Sequence, residues 1–289
     1  MTAAQSRAIV AVQGELGSYS ELAAREFFCA PIAIRPCATF EELFAAVARG
    51  EAEYGMAPIE NSLGGSIHPV WELLAEQALP IIGEILLRVD HCLIAHPGTR
   101  LDQVRRVCSH PQALAQCQEY LRTLGNVVQE EVYDTAGAVK MIKESGSREA
   151  AAIASAQAAA DYDMAILAEN IQTDQRNFTR FLILGHRPGP AGGGALKTTL
   201  ILSLPDTARA LPEVLSSLTS RHIEVLKVES RKRLGYPWEY LFYIEVSGDA
   251  ADPRLKAALA EIGSQSTWLR LVGSYPPGRT SAARLHTRA

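Results

Sequence analysis

The sequence has few aromatic residues (7% of 289) and no surplus of positive charge: 28 Lys+Arg stand against 32 Asp+Glu, a net charge of -4. Without a basic excess or a basic block there is no electrostatic footprint for nucleic acid or a membrane surface. Apolar stretches such as Ile81–Leu87 are far shorter than the roughly 20 residues of a spanning helix. No apolar run follows a positive region between Met1 and Val12, so no signal peptide is expected. Five cysteines, at 29, 37, 92, 108 and 117, form no Cys-x-x-Cys pair. They read as reduced, mostly buried thiols of a cytoplasmic protein. The seven histidines are dispersed, with no His-x-x-x-His or His-x-Glu pair, so no metal is expected. Walker and Gly-x-Ser-x-Gly motifs are also missing, and Gly14-x-x-Gly17 lacks the dinucleotide spacing, which excludes the commonest nucleotide and serine-hydrolase sites.

What is present is an alternation of short apolar runs with helix-like stretches, the pattern of an α/β fold. Strands are expected at Ala8–Val12, Tyr54–Ile59, His91–Ala95, Val104–Cys108, Val127–Tyr133, Ala151–Ala154, Met164–Ala168 and Phe178–Leu184. Helices are expected between them, one opened by a Thr39-x-x-Glu42 capping box and one running unbroken from Gln112 to Leu124. Two lobes follow if the chain crosses between them twice: about 8–86 with 168–186, and about 87–167. His186–Gly194, nearly all Pro, Gly and Ala, reads as part of a linker over 187–196. Beyond it, 197–276 has the βαββαβ order of a ferredoxin-like module, and 277–289 is a tail.

Polar residues and glycines collect where strands end and helices begin, the ligand-binding end of open α/β sheets. Four clusters stand out: Gly14 to Ser20, Glu60 to Ser66, Ser109 to Gln116, and Ala154 to Ala156. Hydroxyls, amides and helix N-termini in each suit a small anion, although Ser and Asn also serve as ordinary caps. His110 reads as a capping residue. The same architecture fits a non-catalytic anion-binding sensor, so the clusters alone leave enzyme and sensor both open.

Five ordered motifs carry a resemblance. They are Gln13-Gly14-x-x-Gly17-Ser18-Tyr19-Ser20, Pro58-Ile59-Glu60-Asn61-Ser62 with Gly64-Gly65-Ser66, Ser109 through Gln116, Asp134-Thr135-Ala136, and Asn177-Phe178-Thr179-Arg180-Phe181. Together they resemble the prephenate dehydratase family, arogenate dehydratases included. The C-terminal module resembles the ACT regulatory domain of that family. The resemblance implies a two-lobed catalytic region like the type 2 periplasmic-binding-protein fold. It also implies a carbon–oxygen lyase that needs no cofactor and turns prephenate into phenylpyruvate by loss of water and carbon dioxide, with arogenate the alternative substrate. It assigns catalysis to Thr179 and Arg180, and substrate binding to Asn61, Ser62, Ser109, Gln116 and Thr135. Strand-end logic adds Tyr19, Ser20 and Ser155, and Phe181 reads as a packing residue beside the site. Glu60 should face away, because neighbours on a strand point oppositely.

By the same resemblance L-phenylalanine is an effector, bound near Ala210, Leu211, Glu229, Ser230 and Arg231 between ACT domains of a homodimer or homotetramer. The family's Gly-Ala-Leu and Glu-Ser-Arg-Pro read here as Arg209-Ala210-Leu211 and Glu229-Ser230-Arg231-Lys232. Arg209 in place of glycine is expected to intrude on that ligand and weaken its binding.

Overall fold

The structure, a computed structural model, describes residues 7–187, 194–205, 207–233, 235–236 and 238–281. Most of the proposed linker (188–193) and the end of the tail (282–289) lie outside them. The chain runs β1 (Ala8–Gln13), α1 (Tyr19–Phe28), β2 (Ile32–Cys37), α2 (Phe40–Ala48), β3 (Tyr54–Asn61), a short β4 (Gly65–Ser66), α3 (His68–Glu76) and β5 (Ile81–Arg88). It continues through β6 (Cys92–Ala95), β7 (Arg106–Ser109), α4 (Pro111–Gln116), α5 (Gln118–Thr123), β8 (Val128–Glu131), α6 (Thr135–Ser145), β9 (Ala150–Ala154), α7 (Ala156–Asp161) and β10 (Ala165–Ala168), and returns as β11 (Phe178–Gly185). Then come β12 (Lys197–Ser203), α8 (Thr207–Thr219), β13 (Val225–Lys232), β14 (Tyr240–Ser247), α9 (Pro253–Gln265), β15 (Trp268–Tyr275) and β16 (Arg279–Ser281).

These strands form three sheets, ordered β16-β5-β11-β3-β1-β2, β10-β6-β9-β7-β8 and β13-β14-β12-β15. The chain leaves the first sheet after β5 and re-enters it at β11, the double crossing that makes two lobes. In the second sheet β9 shows why the lobe holds together. Ala150, Ala152 and Ala154 pack with Val139 and Ile142 of α6. Ala151 and Ile153 pack on the other face with Leu114 and Leu121 of α4 and α5. The third sheet is antiparallel, and its Leu200, Leu202, Phe242 and Ile244 pack with Val214 and Leu218 of α8 and Leu255 and Ile262 of α9.

Compact units cut across the sequence. One comprises residues 1–71, 85–182 and 279–289; the other comprises 72–84 and 183–278. Segment 72–84 is fixed within the second unit by Arg270, whose Nη1 donates to the carbonyl of Ala75 at 2.6 Å. Buried Lys197 lies 2.7 Å from Glu84 and 3.0 Å from Glu245.

Beyond the strands β4 and β5, which were not expected, three elements differ from the sequence reading in an instructive way. β2 contains Pro36, which cannot donate to a ladder, and it sits at the sheet edge where no donor is needed on the outer side. The helix expected over Gln112–Leu124 breaks at Cys117, because the carbonyl of Gln116 accepts from the N–H of Thr173 at 2.8 Å. β16, expected to be tail, pairs in parallel with β5. The cysteines are all free thiols, four buried and Cys29 exposed. Burial pushes the Cys117 thiol up to about 12, so it stays protonated. Among the described residues no helix is long and apolar enough to cross a membrane.

Candidate active site

A cavity of about 420 Å³ opens between the first and second sheets, within the first compact unit. That is the scale of a small-molecule site. Phe40, Pro58, Ile67, Val89 and Phe181 give it apolar walls, and its polar groups come from strand ends and first helical turns. Tyr19 and Ser20 open α1, Thr135 opens α6, and Gln112 and Ala113 lie at the start of α4. The partial positive charge at the starts of α1 and α6 therefore meets the cavity.

Thr179 and Phe181 project from one face of β11 into this space, and Arg180 falls on the other face. Thr179 is held by Asn61, whose Nδ2 donates to Thr179 Oγ1 at 3.0 Å and to Asn177 Oδ1 at 2.8 Å. The orientation of that carboxamide is forced. Its Oδ1 faces the backbone N–H groups of Leu63 (3.0 Å) and Gly64 (2.7 Å), which can only donate. Thr179 Oγ1 thus accepts from Asn61 and keeps its own hydrogen available. Gly64 is required for this closeness, since a Cβ there would strike the Gln112 amide and lie 3.3 Å from Asn61 Oδ1.

The polarity propagates outward. Gln112 and Gln116 Nε2 donate to Asn61 Oδ1 at 3.2 and 3.3 Å. Gln116 Oε1 then accepts from Asn177 Nδ2 at 2.9 Å and faces His91 Nε2 at 3.0 Å. His91 Nε2 therefore carries a hydrogen, and Nδ1 faces the Tyr19 hydroxyl at 3.0 Å. Burial lowers the pKa of His91, which favours this neutral tautomer over the imidazolium. Tyr19 is half-buried, its pKa raised by desolvation, and its hydroxyl donates to the carbonyl of Asp90 at 2.7 Å.

Of the residues selected from sequence, Tyr19, Ser20, Asn61, Gln116, Thr135, Thr179 and Phe181 line one cavity. The other four do not. Arg180 Nη2 lies 3.7 Å from Glu60 Oε2 on the reverse face of the sheet, so it is not poised over a bound carboxylate. Ser62 Oγ donates to the carbonyl of Arg176 at 2.7 Å and accepts from the N–H of Phe178 at 2.9 Å, clamping the start of β11. Ser109 is fully buried and donates to the carbonyl of Ile153 at 2.6 Å. Ser155 caps α7 and donates to the carbonyl of Gly17 at 2.7 Å, tying the glycine-rich turn to the second lobe. Hydroxyls selected as donors for an anion are thus spent on carbonyls.

His91, Gln112, His110, Tyr133 and Asp134 join the lining without having been selected as site residues. His110 caps α4, its Nδ1 accepting from the N–H of Gln112 at 3.2 Å, as expected, and it also faces the cavity. The signal for Gln112 was its place one turn before Gln116. His91 follows a strand-like run and carries no local signal at all. Among the described residues no cluster of His, Cys, Asp and Glu could hold a metal ion.

In the second unit, Ala210 and Leu211 belong to the helix–sheet core, and Glu229 lies 2.6 Å from Arg231 and 3.1 Å from Lys227 along β13, where Ser230 is exposed. The Arg209 side chain is 82% exposed and lies 3.4 Å from Glu213.

Comparison with known proteins accords with this geometry. A family model described as prephenate dehydratase matches residues 10–189. Arogenate dehydratase 1 of Petunia hybrida is 43% identical over 94% of this chain and 67% of its own length. Among solved structures, one described as a quorum-quenching acylase superposes with a TM-score of 0.84 at 36% identity, covering 93% of this chain and 98% of the other. Prephenate dehydratase from Arthrobacter aurescens in complex with L-Phe gives 0.82 at 32% identity, covering 94% and 90%. With the model spanning more than half of the chain and such identity extending almost end to end, the protein belongs to the prephenate dehydratase family.

Proposed function

We propose that the chain is a lyase that converts arogenate to phenylalanine, with prephenate a secondary substrate. The observation that carries the chemistry is the one-way hydrogen-bond chain ending on Thr179: Asn61 donates to Oγ1, so the hydroxyl hydrogen is left to point at the substrate. The order of substrates read from the sequence, prephenate first, is reversed here. Similarity to a protein named arogenate dehydratase supports the reversal.

The ring carboxylate leaves as carbon dioxide, and its bonding pair moves through the ring to expel the hydroxyl at the opposite carbon. Thr179 protonates that oxygen as the C–O bond breaks, and water departs; the threonine regains its proton from solvent. A positioned donor of this kind acts only as charge develops, which lowers the barrier without deepening the ground state. The carboxylate that the substrate retains is received by the first turns of α1 and α6 instead of by Arg180. Phe40 and Phe181 supply a dry wall in which the departing carboxylate is poorly solvated.

The acylase neighbour raises a different chemistry. It gains little from this site, since the Thr179 hydroxyl is held by an amide donor and not by a histidine that could take its proton. The second compact unit serves as the regulatory module, with phenylalanine as effector. The L-Phe complex of the Arthrobacter aurescens enzyme supports that reading. Incubating the protein with arogenate and with prephenate, and following phenylalanine and phenylpyruvate, tests the function; release of neither product overturns it.

A further inference from the structure

Arogenate and prephenate differ at one atom set, an ammonium group in the first and a ketone in the second, at the side chain across the ring from the departing hydroxyl. The described residues lining the cavity include no lysine or arginine and one carboxylate, Asp134. The two lining histidines, His91 and His110, are both shifted by burial toward the neutral form. The wall therefore carries a formal charge of about one negative unit. It repels a dianion such as prephenate more than a substrate carrying two carboxylates and an ammonium.

Asp134 is held where it can read that ammonium. Its Oδ2 accepts from the N–H of Glu15 at 2.8 Å, and its Oδ1 accepts from the N–H of Gly137 at 3.0 Å. It is 7% exposed and fixed from both lobes. A carboxylate offers about four acceptor positions, so each oxygen retains one for a ligand. Thr179 belongs to a different set of partners, the Asn61–Gln116–Asn177 amides. One cavity thus holds a proton donor in a neutral amide cluster and an anion in a separate cluster, the two kinds of group that a substrate with a hydroxyl to expel and an ammonium to recognise calls for.

On the dehydratase reading above, we propose that Asp134 is the specificity-determining residue, accepting hydrogen bonds from the arogenate ammonium and disfavouring prephenate. A backbone latch alone would not require the charge, because serine caps a helix start nearly as well as aspartate. Asp134→Ser and Asp134→Asn therefore separate the two roles. The measurement is kcat/KM for both substrates with the unmodified protein and each variant, together with Tm. The unmodified protein should prefer arogenate. Both variants should cut the arogenate-to-prephenate ratio by about 10- to 100-fold, the scale of losing one charge-assisted hydrogen bond at a site built for it. The loss should fall on arogenate while the KM for prephenate drops. A parallel fall for both substrates at constant ratio would show that Asp134 is a latch only and overturn the assignment, as would an unmodified protein that prefers prephenate. An unmodified protein inert toward both overturns the dehydratase reading itself, and this assignment with it.

Discussion

Thr179 is an ordinary strand threonine in every respect but its partner. The hydroxyl is a weak acid, so its use as a donor depends on Asn61 occupying its lone pair. Thr179→Val should lower kcat by about 10²–10⁴-fold with KM little changed, and Thr179→Ser should retain most of the activity. Steady-state kinetics on both variants checks this, and a fully active valine variant sinks the role. His91 should act through Gln116 and Asn61, without touching substrate. Its folded pKa is depressed, so the unfolded chain takes up a proton near 6.5 while the folded chain does not. Stability from this group is present in full above that pH and falls as pH drops below it. His91→Gln should flatten the pH dependence of Tm in this window. An unchanged profile would remove His91 from the chain of polarity.

Elements place these side chains, and here the sequence was legible in a selective way. Residues of the motifs meet at one cavity, Thr179 among them on β11. Alternation along that strand also implied that Arg180 could not share its face, yet the attraction of a cation for a carboxylate outweighed the rule. Ser62, Ser109 and Ser155 were selected as hydroxyls near an anion. Which carbonyl a buried hydroxyl meets is decided by tertiary packing, and no spacing encodes it. Glu60 did face away, as strand alternation required. β2 escaped because Pro36 argues against a strand until its edge position is known. Ser62→Ala tests the clamp on β11. Losing it should cost about 1 kcal/mol of stability and lower kcat more than it raises KM, because Thr179 loses its anchor one residue upstream. Calorimetric Tm with the kinetics decides the matter, and unaltered kcat would show that β11 is held by its ladder alone.

For the whole molecule, the sequence reads as a catalytic region and a C-terminal module joined by a glycine-rich linker. The compact units are instead interleaved, with 72–84 belonging to the C-terminal unit. Truncation after residue 187 should leave Leu74, Leu79 and Ile81, all buried in the intact chain, without much of their cover. It would also strand Glu84 without Lys197 and remove β16. The truncated protein should aggregate or melt well below the full chain, which light scattering and a thermal melt would detect; a monodisperse fragment with the parent Tm would show separable modules. Lys197→Met keeps the chain whole but leaves Glu84 and Glu245 facing each other. Breaking a buried pair of this kind costs about 3–5 kcal/mol, readable by denaturant unfolding.

The pairing of β16 with β5 also bears on how the protein is made. The second-lobe sheet draws all its strands from Cys92 to Ala168, so it can close while the ribosome is still extending the chain. The first-lobe sheet begins at Ala8 but lacks its edge strand until Ser281 has emerged, some 270 residues later at about 5–20 residues per second. The lobe started first is therefore the one completed last, and during that interval the edge of β5 waits open for its partner.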